Sequence, residues 1–82
     1  MAIEVKTRLR QLREELTSPK VSQEAMARKA GISLQWYRQL ESGQQQNTSW
    51  STGNAILRAL NEERQARGLA DLTLDQLGLK IV

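Results

Sequence analysis

The sequence predicts an all-α domain of four or five short helices, on three observations. Apolar residues recur at spacings of three and four, serines precede and glycines follow the apolar stretches, and two of those stretches lie so close that their helices must cross. With 82 residues the chain suits one small domain with a single core, so residues 1–82 are expected to fold as a unit.

In the first segment, VKTRLRQLREEL, residues Val5, Leu9, Leu12 and Leu16 line one helix face, with arginines elsewhere on the surface. Thr17, Ser18 and Pro19 end it, because proline disfavours a helical conformation in the residue before it. The second helix is marked at both ends. Ser22 is its N-cap, Val21 and Met26 have the spacing of a hydrophobic staple, and Glu24 lies in the first turn, where the helix dipole favours an acid. Arg28 and Lys29 occupy the last turn, and Gly31 suits the left-handed position that closes a helix. Only Ile32 then separates Gly31 from the next cap, Ser33, so a third helix from Leu34 to about Ser42, closed by Gly43, crosses the second in a helix-turn-helix. QQQNTS, residues 44–49, is polar and reads as a loop. Ser49 caps a fourth helix from Trp50 to about Arg67, with Ile56, Leu57 and Leu60 inward and Gly68 as its stop. Gly53 weakens its first turns by about 1 kcal/mol relative to alanine, and Trp50 is expected to pack inward and anchor the QQQNTS loop. Thr73 caps one last turn or two, LDQLG. The terminal LKIV fits a strand, a tail packed on the core or a contact with a second subunit.

Composition removes several function classes. Cysteine and histidine are both absent, which excludes disulfides, thiolate zinc sites, cysteine nucleophiles and imidazole acid–base chemistry. The adjacent pairs Glu14–Glu15 and Glu62–Glu63 sit on helices, where neighbouring side chains point apart, and no glycine-rich phosphate loop or nucleophile elbow is present. No enzyme activity, cofactor or metal is expected. No run approaches the roughly 20 apolar residues of a membrane span, and MAIEVKTRLR lacks the apolar region of a secretory signal, so a soluble, cytoplasmic protein is expected. Formal charge is +3, with the excess between Lys6 and Arg38, the half that would be drawn to a polyanion. Against this stands the plainer reading that basic residues keep helices soluble.

SQEAMARKAGISLQWYRQLESG resembles the helix-turn-helix of the phage repressor and Cro-type family, often called the Xre family. Ser22, Gln23, Met26, Ala27, Gly31, Ile32, Ser33, Tyr37, Leu40, Glu41 and Gly43 stand in register with its pattern. LRQLREEL and AILRAL resemble the family's first and fourth helices, so the likeness covers about residues 5–60 and leaves 61–82 as a C-terminal extension. Three features depart from the family: a longer connection at TSPKV, Gly53 in place of a core aliphatic residue, and NEERQARGLADL after Leu60.

The resemblance implies a lambda-repressor-like DNA-binding domain whose third helix enters the major groove and reads base edges. At about 100° per residue, Tyr37 and Leu40 set the inward direction of that helix. Gln35, Arg38, Gln39 and Ser42 then face outward, with Leu34 and Trp36 on the flanks. Glutamine pairs bidentately with adenine and arginine with guanine, each discriminating by about 1–3 kcal/mol, and a leucine suits a thymine methyl. Leu34, Gln35, Arg38 and Gln39 are therefore the base-reading candidates, weighed against an ordinary solvated face. Trp36 is expected on the rim, partly packed against the Gln44–Trp50 segment, with a phosphate or sugar contact as its alternative. A DNA-facing ring is likewise the alternative for Trp50.

Gln23, at the amino end of its helix, is a phosphate contact by resemblance and a support for the reading helix. Ser33 is first a cap and second a phosphate contact. Lys20, Arg10 and Arg28, with Gln44 to Asn47 in the loop, are weaker phosphate candidates. Glu41 lies at the edge of the inward face, and by analogy with the family Arg13 is its structural ion-pair partner. The expected function is a sequence-specific transcriptional regulator, a repressor, binding double-stranded DNA as a homodimer through the fourth helix and tail, nucleoid-associated when bound. The rival is an antitoxin or other protein-interaction module whose residues 61–82 bind a partner protein.

Overall fold

A computed structural model describes residues 8–44 and 47–82. Within them the chain forms α1 (Leu9–Glu14), α2 (Gln23–Ala30), α3 (Leu34–Ser42), α4 (Trp50–Ala66) and a 3-10 turn at Leu74–Leu77. Two dipeptide strands, β1 (Asn47–Thr48) and β2 (Lys80–Ile81), pair in parallel, so the fold is all-α with one minimal bridge. Val5, Lys6, Gln45 and Gln46 lie outside the described residues.

The serine caps set three of the helix starts. Ser22 Oγ accepts from the Ala25 N–H at 3.0 Å, Ser33 Oγ from Trp36 at 3.1 Å and Ser49 Oγ from Thr52 at 3.1 Å, each satisfying a donor that the first helical turn leaves free. At the other ends, Gly31 (φ 73°) and Gly43 (φ 86°) take the left-handed conformation that a side chain disfavours. The turn between α2 and α3 is therefore fixed by Gly31 on one side and Ser33 on the other. α1 stops at Glu14, short of Leu16, yet Leu16 is still buried because its N–H bonds to Arg13 O at 3.0 Å and tightens the chain inward.

α2 packs against α4 and α3, and α1 against α3. Their shared core contains Leu9, Leu12, Leu16, Met26, Tyr37, Leu40, Ile56 and Leu60, all essentially inaccessible to water. Leu77 joins them, so the core continues past Leu60, and its carbonyl accepts the Arg8 N–H at 3.1 Å. The chain between α4 and the 3-10 turn folds back on α4 through side chains: Asn61 exchanges two bonds with the Leu72 backbone (2.8 and 3.2 Å), and Arg64 Nε donates to Ala70 O at 2.7 Å.

The long α1–α2 connection is held from a distance. Arg67, just past α4, donates to the carbonyls of Thr17 (2.9 Å) and Pro19, and to Glu63 Oε1 at 3.1 Å. That guanidinium holds the Glu63 carboxyl below its ordinary range, with Lys29 adding to the effect against a smaller opposing effect of burial. Arg13 Nη1 fastens the far end of the same connection by donating to Val21 O at 3.0 Å.

Two expectations are corrected or resolved here. Trp50 does not pack inward: it is 62 % exposed. The surface around Gly53, one turn on, is already covered by Ile81 and Leu74, and the buried residue of the loop is Thr48. The terminal LKIV resolves as a strand, in register Asn47 to Lys80 and Thr48 to Ile81, with Val82 N–H donating to Thr48 O at 3.1 Å. A Cβ on Gly53 would stand 2.8 Å from Ile81 Cδ1, so the missing side chain is the space that Ile81 fills.

Candidate nucleic-acid interface

α3 has one buried edge and one open one. Tyr37 and Leu40 point into the core, with Glu41 beside them at 3 % exposure, while Gln35, Arg38 and Ser42 are exposed. Leu34, Gln39 and Trp36 are half-buried, and Trp36 packs against the core cluster. The two adjacent rings thus divide as their 100° separation requires: Tyr37 is inside and Trp36 is on the rim. Burial pushes the Tyr37 phenol above its ordinary pKa, and the negative charge of Glu41 adds to this. Its hydroxyl has no hydrogen-bond partner among the described residues.

Behind the open face runs a chain of polar side chains that ties three helices together. Arg13 of α1 meets the Glu41 carboxylate with two nitrogens, Nη2 to Oε1 at 2.7 Å and Nε to Oε2 at 3.0 Å. The paired, planar geometry suits a guanidinium against a carboxylate. The hydrogen bond to Glu41 raises the Arg13 pKa against the opposing effect of burial, so the cation is firmly retained. Gln23, the first residue of α2, donates from Nε2 to Glu41 Oε1 at 3.1 Å, and its Oε1 accepts from Arg38 Nε at 3.3 Å. Arg38 is thereby linked through Gln23 and Glu41 to Arg13. Arg10, Arg13, Gln23, Arg38, Glu41 and Ser42 line one shallow cleft at this junction.

The remaining candidates fall into two groups. Arg10 and Arg28 are exposed but bonded to acids one turn away, Glu14 at 2.7 Å and Glu24 at 3.0 Å. Such surface pairs are worth about 0–1 kcal/mol, so a phosphate competes easily for the cation. Lys20 is exposed with no ion pair among the described residues. Ser33 spends its hydroxyl on the cap. Gln44 and Asn47 are exposed on either side of Gln45 and Gln46. Lys20, Gln23, Arg38 and the α3 face occupy the start of α2 and the outer side of α3; Arg28 lies toward the far end of α2.

Sequence reasoning missed Arg67, Thr48 and Lys80 as structural participants. The unusual length of TSPKV was a sign that some donor must satisfy its carbonyls, but nothing local named Arg67. Among the described residues no helix is long and apolar enough to cross a membrane, and no group of three or more acidic side chains is placed to hold a metal ion.

A family model described as a helix-turn-helix domain matches residues 7–70. Comparison with curated proteins and with solved structures gave no match. The matched span begins at the start of α1 and runs past the end of α4, so it contains the crossed pair α2–α3 and both helices that hold it. The chain belongs to the helix-turn-helix domain family, a family of DNA-binding modules.

Proposed function

We propose that the protein is a sequence-specific transcriptional repressor of the phage repressor and Cro type, acting as a homodimer on double-stranded DNA. The observation that carries this reading is the outer face of α3, where Gln35 and Arg38 are exposed and Gln39 half-exposed on a helix braced through Gln23 and Glu41. These are the side chains whose geometry matches adenine and guanine edges, and Leu34 at the helix start supplies an apolar contact for a thymine methyl. Gln23, Lys20, Ser33, Asn47 and Gln44 then hold flanking phosphates, with Arg10 and Arg28 exchanging their acids for phosphate oxygens. Residues 67–82 fold back beside α4, with Leu77 buried and Leu72, Leu74 and Leu79 packed against the core, which favours this reading over an arm built to bind a partner protein.

Selection of bound sequences from random duplex DNA at about physiological salt tests it. The wild type is expected to enrich one motif, and Gln35→Ala and Gln39→Ala each to relax preference at a different base position, by about 1–3 kcal/mol of discrimination. No enriched motif would sink the repressor reading. A motif unchanged by either substitution would sink the assignment of the reading residues.

A further inference from the structure

β2 brings the end of the chain beside the loop that follows α3. Side chains alternate along a strand, and burial follows the alternation. Thr48 and Ile81 turn inward over Gly53, whereas Asn47 and Lys80, paired in register, are both exposed on the other face. The Val82 N–H to Thr48 O bond and the fit of Ile81 over Gly53 fasten the strand, so Lys80 is held beside Asn47 and does not trail on a free tail.

Charge pairing supplies a second, independent observation. Arg10, Arg13, Arg28, Lys29, Arg64 and Arg67 all have acidic partners within 4 Å. Lys80, like Arg8, Lys20, Arg38 and Arg58, has none among the described residues, so its ammonium is open to an anion from outside the chain, and its register beside Asn47 is what sets it apart from the others.

We propose that Lys80 is a further DNA phosphate contact: the β1–β2 register sets its ammonium alongside Asn47, so that a phosphodiester flanking the groove entered by α3 is held from both strands. The inference rests on the reading of α3 as the DNA-binding helix. Lysine serves here as a compact point charge, which suits a contact that adds affinity without reading sequence.

Binding of the selected duplex, followed by fluorescence anisotropy over a range of salt concentrations, tests it. Removing one phosphate contact should lower the slope of log K against log salt by about 0.9 and weaken binding to all sequences alike. Lys80→Ala is expected to do both, Lys80→Arg to keep the wild-type slope, and Arg58→Ala, on an exposed position of α4, to leave it unchanged. An unaltered slope in Lys80→Ala overturns the inference. So does weaker binding at constant slope with lost hydrogen-exchange protection of the Val82 amide, since the effect would then come from a loosened strand. An equal fall in slope for Arg58→Ala also overturns it, as a general loss of charge. Failure of the wild type to bind any duplex is distinct from these, because it removes the proposed function itself.

Discussion

Glu41 is the residue that ties α3 to the two helices before it. It is nearly inaccessible, and three donor nitrogens from Arg13 and Gln23 converge on its carboxylate. A buried pair of this kind offsets the cost of taking two charges out of water only while both partners are present. Arg13→Met leaves Glu41 with Gln23 alone and is expected to destabilise the fold by about 3–5 kcal/mol, seen as a lower urea midpoint at neutral pH. Adding Glu41→Leu should restore much of the loss by removing the stranded charge. If Arg13→Met costs no more than an ordinary surface substitution, the pair does not have this role. The need for a cation was legible in the sequence, since Glu41 falls at the edge of an apolar face, and the family resemblance implied Arg13 as its source. The bridge from Gln23 to Arg38 was not, because an amide can point either end at its neighbours and only the assembled cleft selects one.

At the scale of elements, legibility follows the range of the forces. The bounds of α2, α3 and α4 could be read to within a residue or so from the serines and glycines, because a cap is satisfied within a few residues of itself. The strand β2 and the grip of Arg67 on Thr17 and Pro19 join residues about thirty to fifty apart, and no local pattern marks them. Gly53 shows the difference within one residue: locally it is a weak point of α4, whereas in the fold it is the seat of Ile81. Gly53→Ala should therefore be nearly neutral, the gain of about 1 kcal/mol in helix propensity offset by the shift demanded of the Ile81 methyl. Gly53→Val places two more methyl groups where Ile81 and Leu74 already stand. It is expected to release β2 and speed hydrogen exchange at the Val82 amide, while α2 and α3 keep their protection. Unchanged protection of Val82 in the valine variant would show that Ile81 is not what Gly53 accommodates.

The domain measures 36 × 30 × 22 Å along its principal axes, and among the described residues α3 is the one helix proposed to read bases. A single reading helix spans few base pairs, so the proposed repressor needs a second copy, and the size of the domain limits where that copy sits. Two copies on one face of a duplex, their reading helices about 34–36 Å apart as one helical turn requires, stand close enough to touch across the dyad without overlapping. Selected sites are therefore expected to contain two inverted half-sites one turn apart. Inserting about five base pairs between them rotates one half-site by roughly half a turn, which places the copies on opposite faces of the duplex and breaks any contact between them. Binding to the lengthened site should lose its cooperativity in a mobility-shift titration and fall to that of two independent half-sites. A homodimer joined through rigid contacts between copies predicts this loss. Equal cooperativity at both spacings would mean that the copies are not held to each other on the DNA, and the dimeric reading would fail while the reading of α3 could still stand.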